Sequence, residues 1–340
     1  MRNSGLRVGL RWHRAPQFTT TAMKSILLVK TSSLGDVVHN LPVVSDVRSA
    51  FPDAEIDWVV EEGFAAIPRL HTGVREVLPV AIRRWRSLLW RRETRDEIRV
   101  FLQRLRAQTY DAVVDTQGLL KSAVISRAAH GVRFGLDWQS AREPLALFYD
   151  RTFSVPWTLP AVERNRALAA HALGYTLPPL NYGIRAVSTQ FPWLPEKPYA
   201  VLLHATSAER KLWPETRWIE IGRCLSERGI DSVLPWGGVG ERDRSERLAT
   251  QLPGAVVPSA LRLDEAAGLL AGAQVVIGVD TGLTHLAAAL GVPTVGIYCA
   301  TDPHATGIYG CEHAVNLGGV GRPPQAAEIT TALERLGNSA

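Results

Sequence analysis

Gly278-Val279-Asp280-Thr281-Gly282-Leu283-Thr284-His285-Leu286-Ala287-Ala288-Ala289 is the stretch whose reading decides the fold. Ahead of it runs Gln274-Val275-Val276-Ile277, a continuous apolar segment of the kind buried on both faces of a parallel sheet. Behind it, Leu286 to Leu290 is Ala-rich, and Gly291 and Pro293 supply a helix stop. The joint is therefore a strand-to-helix turn at the carboxyl end of a strand, where open α/β sheets bind their ligands. Its Asp-Thr-Gly offers a carboxylate, a hydroxyl and a close approach to backbone, and the first N–H groups of the helix form a seat for phosphate. The plain alternative is a capped helix, with Thr281 or Asp280 as the N-cap.

Outward from this turn the same alternation recurs. Ile26–Val29, Ile56–Val60, Glu76–Val80 and Tyr110–Val114 read as strands, with Pro79 marking an edge. Helical patterns cover 35–50, 63–70, 94–106 and 119–129, the third amphipathic through Ile98, Phe101, Leu102 and Leu105. The pattern breaks at about 176–197, where Pro178, Pro179, Pro192 and Pro195 crowd as in an interdomain linker. A second series follows: strands at 199–203, 231–234, 256–257, 274–279 and 294–298, and helices from about Pro214, over 241–251, 264–271 and 326–336. The expectation is an α/β protein of two doubly wound, Rossmann-like domains, 23–175 and 198–340, facing one another across a cleft. A length of 340 residues suits two cores.

Composition is that of an ordinary globular chain, 46% hydrophobic and 21% charged, and no apolar run is long enough to span a bilayer. Cys224, Cys299 and Cys311 lie far apart without metal-ligand spacing. Residues 1–22 carry Arg2, Arg7, Arg11 and Arg14, no acid and no signal-peptide core. They read as a disordered, dispensable basic leader. Arg83 to Arg106 holds nine Arg against Glu93, Asp96 and Glu97, with Trp85 and Trp90 interleaved. A solvated helix face, nucleic acid, and an anionic membrane surface are the three readings of such a run.

Three further turns carry chemistry. Lys30-Thr31-Ser32-Ser33-Leu34-Gly35-Asp36 closes the first strand without P-loop or dinucleotide-glycine spacing. Asp36, on the first turn of a helix, is kept ionised by the dipole and is either a general base or a cap. His204-Ala205-Thr206-Ser207, with Lys211 four positions on, suits a phosphate. Trp236-Gly237-Gly238-Val239-Gly240-Glu241 admits a ligand to its glycines and places a carboxylate for ribose hydroxyls. Together they describe a nucleotide-diphosphate pocket opposed by Asp36.

At these residues the chain resembles the ADP-heptose glycosyltransferases of family 9. The likeness runs from Met23 to the last helix. Its most specific pieces are the 30–36 turn, Asp57-Trp58-Val59-Val60-Glu61-Glu62-Gly63-Phe64, Pro79-Val80-Ala81-Ile82-Arg83-Arg84-Trp85-Arg86, Asp137-Trp138-Gln139-Ser140-Ala141-Arg142-Glu143-Pro144, His204-Ala205-Thr206, Leu234-Pro235-Trp236-Gly237 and the Asp280 turn. The resemblance implies a GT-B fold with the acceptor in the first domain and ADP-heptose in the second. The implied reaction is inverting transfer of L-glycero-D-manno-heptose to the Kdo of Kdo2-lipid A. It implies Asp36 as catalytic base, and Thr206, Ser207 and Lys211 on the phosphates. It further implies Glu241 on ribose, Leu261 against adenine, and Asp280, Thr281, Gly282, Leu283 and His285 around heptose and diphosphate. Ser207 stands where a second threonine is usual, and Leu261 where methionine can sit. Lys30, Arg83, Arg84, Arg86 and Arg142 are the expected acceptor contacts. Trp85 and Trp90 are expected at headgroup depth, on an enzyme peripheral to the cytoplasmic face of the inner membrane. No Asp-x-Asp metal motif is present, so neither metal nor cofactor is expected, and no nucleic-acid partner. The competing readings are a family member adding a later core heptose, a nucleotide-sugar epimerase, and a non-catalytic nucleotide or nucleic-acid binder.

Overall fold

The computed structural model describes residues 23–337; the leader 1–22 lies outside them. The chain runs β1 Ser25–Val29, α1 Leu34–Val38, α2 Leu41–Ala50, β2 Glu55–Glu61, α3 Ala66–Arg69, β3 Val74–Val80, α4 Ile82–Trp85, α5 Arg92–Leu105, β4 Thr109–Asp115, α6 Leu120–Ala128, β5 His130–Leu136, β6 Arg151–Phe153 and α7 Ala161–Leu173. It continues with β7 Tyr199–Leu203, α8 Glu215–Glu227, β8 Asp231–Val233, α9 Val239–Ala249, α10 Leu263–Ala271, β9 Val275–Val279, α11 Gly282–Ala289, β10 Thr294–Tyr298, α12 Pro303–Thr306, β11 Ala314–Gly318 and α13 Ala326–Gly337.

The first sheet has the order β3-β2-β1-β4-β5-β6 and the second β11-β10-β9-β7-β8. All paired strands are parallel. The inner strands are buried along nearly their whole length: Ile26, Leu27, Leu28 and Val29 on β1, Ala200, Val201 and Leu202 on β7, Val276 and Ile277 on β9. Burial on both faces is why these segments contain no alternation. In each sheet the strand order reverses once, between β1 and β4 and between β7 and β9, and the crevices at the carboxyl ends there are where this topology binds ligands.

Several expected elements differ. The segment 35–50 is two helices rather than one, broken at His39-Asn40, with Pro42 in the first turn of the second; proline fits there because its missing N–H is not needed. The expected strand at 256–257 is a single bridge to Val233. Strands β5, β6 and β11 and helix α7 were not expected. Between α7 and β7 the chain crosses from one domain to the other. Ile184 bridges to His71, and Thr189 N–H donates to Gly268 O at 3.3 Å. The start of the crossing is pinned by Arg166. It pairs with the buried Asp46 carboxylate at 2.8 Å and donates to Pro178 O at 2.6 Å.

Candidate active site

The two domains meet through the amino ends of α1 and α11. A Cβ added at Gly282 would collide with the Leu34 side chain, and one at Gly35 would lie 3.4 Å from His285 Cδ2. Glycine at 282 is thus required by the approach of the two domains. Around this contact opens a cleft of about 1010 Å³, lined from both domains. A smaller pocket of about 210 Å³ lies on the first-domain side. Asp36 and Arg142 line both.

On the second-domain wall, Asp280 follows β9 and is the hub. Its carboxylate accepts from Lys211 Nζ at 2.7 Å and from Thr301 Oγ1 at 2.6 Å, and His285 Nε2 lies 3.4 Å away. Burial pushes this carboxyl up, but the bonds from His285, Lys211 and Thr301 outweigh it and hold it well below the usual range. Thr281 occupies the N-cap position of α11 in extended conformation without a side-chain capping bond, so neither expected cap acts through its side chain. Thr206, Ser207, Lys211, Glu241, Leu261, Thr281, Gly282, Leu283 and His285 all line the same cleft. Thr206 Oγ1 donates to Asp280 O at 3.3 Å, and Glu241 accepts the Gly237 N–H at 2.7 Å.

Opposite stands Asp36. Its Oδ2 accepts the Ser33 N–H at 2.7 Å and the Ser33 hydroxyl at 2.9 Å, a capping box for α1. Burial raises its pKa, while the Lys30 ammonium and the two Ser33 bonds lower it further than burial lifts it. The carboxylate is therefore an ionised cap, with Oδ1 outside the capping contacts. Lys30 is buried, donating to Thr116 O at 2.8 Å and Asn165 Oδ1 at 3.2 Å. Desolvation lowers its pKa against the pull of Asp36 and Asp115.

The small pocket behind Asp36 is cationic. Lys30, Arg142 and Arg164 line it with Gln117 and Trp157. Arg164 lies 3.5 Å over the Trp157 ring and Arg142 5.6 Å. Burial and the neighbouring Arg142 press the Arg164 guanidinium down to about 10, and its Nε is buried without a partner. Such a lining suits an anionic group.

Of the expected acceptor contacts, Lys30, Arg83 and Arg142 line these cavities and Arg84 and Arg86 do not. Arg84 is committed to Glu62 at 3.0 Å and Glu97 at 2.8 Å. Trp85, expected at a membrane surface, instead packs on Phe101 with centroids 5.8 Å apart and donates to Glu97; Trp90 is exposed. Sequence reasoning missed Arg164, Trp157, Gln117, Asn165, Thr301 and His39. Thr301 was discoverable, since it lies in the turn after the apolar strand β10, and His39 lies three positions after Asp36 on the same helical face. No local signal marks the others. Among the described residues there is no cluster of three His, Cys, Asp or Glu side chains arranged for a metal, and no helix long and apolar enough to cross a membrane.

Two facing Rossmann-like domains, with Asp280 on one wall of the cleft between them and Asp36 on the other, have the architecture of a GT-B glycosyltransferase. Comparison with known proteins narrows the class. The profile of "Glycosyltransferase family 9 (heptosyltransferase)" matches residues 98–332, and the chain belongs to that family. It is 47% identical over 292 residues to lipopolysaccharide heptosyltransferase 1 of Escherichia coli K12, covering 84% of this chain and 91% of that one. To the protein of the same name from Pseudomonas aeruginosa PAO1 it is 50% identical over 297 residues, covering 86% and 83%. The solved E. coli heptosyltransferase WaaC with ADP superposes with a TM-score of 0.84 at 42% identity, over 92% of this chain and 99% of that one.

Proposed function

We propose that the protein transfers L-glycero-D-manno-heptose from ADP-heptose to the Kdo of Kdo2-lipid A, with inversion at the anomeric carbon, during assembly of the lipopolysaccharide inner core. The observation that carries this reading is the position of Asp36. It is the acidic residue common to the large cleft and the small cationic pocket, where a donor sugar and an acceptor hydroxyl would meet.

In this reading ADP lies along the second-domain wall, with adenine against Leu261 and ribose on Glu241. The diphosphate rests between Thr206, Ser207, Lys211 and the first N–H groups of α11. The acceptor Kdo carboxylate enters the cationic pocket, held by Lys30, Arg142 and Arg164, with Trp157 as a face for the sugar ring. Arg83 reaches acceptor charges from the cleft rim, and Arg84 braces α4 through its two glutamates. Asp36 removes the proton of the acceptor hydroxyl as its oxygen bonds to the anomeric carbon. The bond from that carbon to the phosphate oxygen breaks, and ADP leaves with the electron pair. Lys211 and the helix amides stabilise the developing charge, which makes them more valuable in the transition state than in the ground state. The reading requires no metal. Leu89 and Trp90, exposed beside Arg91 and Arg92, suit contact with the anionic membrane that carries the acceptor.

The test is a mass-spectrometric transfer assay with ADP-heptose and either Kdo2-lipid A or a core already bearing heptose. One heptose added to Kdo2-lipid A supports the proposal. Transfer only to the heptosylated core assigns a later step, and ADP-heptose consumed without acceptor overturns it.

A further inference from the structure

A line of polar contacts joins the small pocket to the second-domain wall through His39, which lines the large cleft between them. His39 is buried at the end of α1. Its carbonyl accepts from Asn165 Nδ2 at 3.2 Å, and Asn165 Oδ1 accepts from Lys30 Nζ. Its ring meets His285 of the other domain edge to face, centroids 4.6 Å apart, with His39 Nε2 3.3 Å from His285 Nδ1. His285 Nε2 in turn faces Asp280 Oδ1.

Asp280 is an ionised acceptor, so the facing His285 Nε2 carries a hydrogen. At its other nitrogen, His285 Nδ1 shares one hydrogen bond with His39 Nε2. We propose that His39 is a positioning residue for the transfer. Its Nε2, bonded to His285 Nδ1, fixes the orientation of His285, and so locks the acceptor-domain helix bearing Asp36 onto the donor turn bearing Asp280.

This rests on the reading of Asp36 and Asp280 given above. The groups facing His39 are His285, Asp36, Lys30 and Asp280; burial, His285 and Lys30 drive its imidazole down to about 3 against the upward pull of Asp36 and Asp280. The His39 ring therefore stays neutral.

Substitution separates positioning from packing. Gln places an amide nitrogen where His has Nε2, whereas Asn places one nearer Nδ1 and Leu supplies none. We expect H39L and H39N to lower kcat by on the order of 10–100-fold, with calorimetric ADP affinity of the folded variants changed less than threefold (about 0.65 kcal/mol). H39Q should recover most of the lost kcat. Nitrogen-15 spectra of the wild-type protein should show the His39 ring neutral from pH 5 to 8, with its Nε2 hydrogen-bonded to His285. Equal loss in H39Q and H39L at matched melting temperature overturns the proposal, as does wild-type kcat in H39L. A His39 that titrates between pH 5 and 8 also overturns it. The spectra need no substrate, so they test the His39 assignment even where the transfer assay itself fails.

Discussion

Replacing Asp36 by asparagine separates the capping contacts of this carboxylate from the base role proposed for it. As a cap it works through Oδ2, which accepts from Ser33 N–H and Oγ at 2.7 and 2.9 Å. The amide oxygen of D36N can take both bonds, so α1 keeps its start and the melting temperature should move little. As a base it has no substitute, because an amide cannot accept the acceptor proton. Loss of a positioned general base costs about 10²–10⁴ in rate, equivalent to about 2.7–5.4 kcal/mol of barrier. D36A loses the same rate and also the capping box, worth roughly 0.5–2 kcal/mol. For a domain of this size that is a fall of a few degrees in melting temperature. Donor contacts lie on the other wall, so ADP binding by calorimetry should be unchanged in both variants.

The assay is initial-rate transfer from ADP-heptose to de-acylated Kdo2 acceptor, followed by mass spectrometry, alongside thermal melts of the three proteins. The reasoning predicts D36N and D36A equally inactive but unequally stable. D36N with turnover within tenfold of wild type refutes the base and leaves Asp36 as a cap. D36N losing stability as D36A does would refute the separation of the two oxygens.

Lys211→Ala removes the ammonium 2.7 Å from Asp280 and should lower both ADP affinity and turnover by about tenfold or more, with Lys211→Arg restoring part; wild-type ADP binding by both variants refutes the phosphate assignment. The lowered Asp36 pKa means the base is ionised above it and lost only as pH falls through it. No acid limb due to this group should therefore appear between pH 5 and 8, and kcat showing one would be inconsistent with Asp36 as base. Burial lowers the Lys30 pKa below its ordinary 10.5, so its charge is lost as pH rises through the lowered value. The acceptor KM should climb there and stay flat in Lys30→Arg; a flat wild-type profile up to pH 10.5 counts against it. Arg83→Ala should raise the acceptor KM severalfold and Arg84→Ala leave it unchanged, since Arg84 is held by Glu62 and Glu97; equal effects in steady-state kinetics would show that the ion pairs open for substrate.

How much of this was legible depends on what burial demanded of each segment. The inner strands β1, β7, β9 and β10 are covered on both faces, so each was visible as an apolar run, while β4 showed through Ala112-Val113-Val114 despite the exposed Asp111. The turns after β7 and β9 hold Thr206, Ser207, Asp280 and Thr281 on the cleft. The missed strands lie towards sheet margins. β6 is three residues long, β5 reads His130-Gly131-Val132-Arg133, and none of the five residues of β11 is fully buried. Partial cover imposes no pattern. Helix α7 was missed for a different reason. Its inward face contains Asn165 and Arg166, both buried, where helical periodicity asks for apolar side chains. Asn165 is there to hold Lys30 and the His39 carbonyl, and Arg166 to pair with Asp46 and the chain at Pro178. The same holds for the break at His39-Asn40. The apolar positions Val37, Val38, Leu41, Val43, Val44 and Val47 run through it as one helical stripe. The chain nevertheless turns there, and His39 is delivered to the domain contact. At α7 and at the His39-Asn40 break, the residues responsible are buried polar groups bonded to other elements, Asn165, Arg166 and His39. Buried polar groups with partners in another element obey that element's geometry rather than their own helix's period.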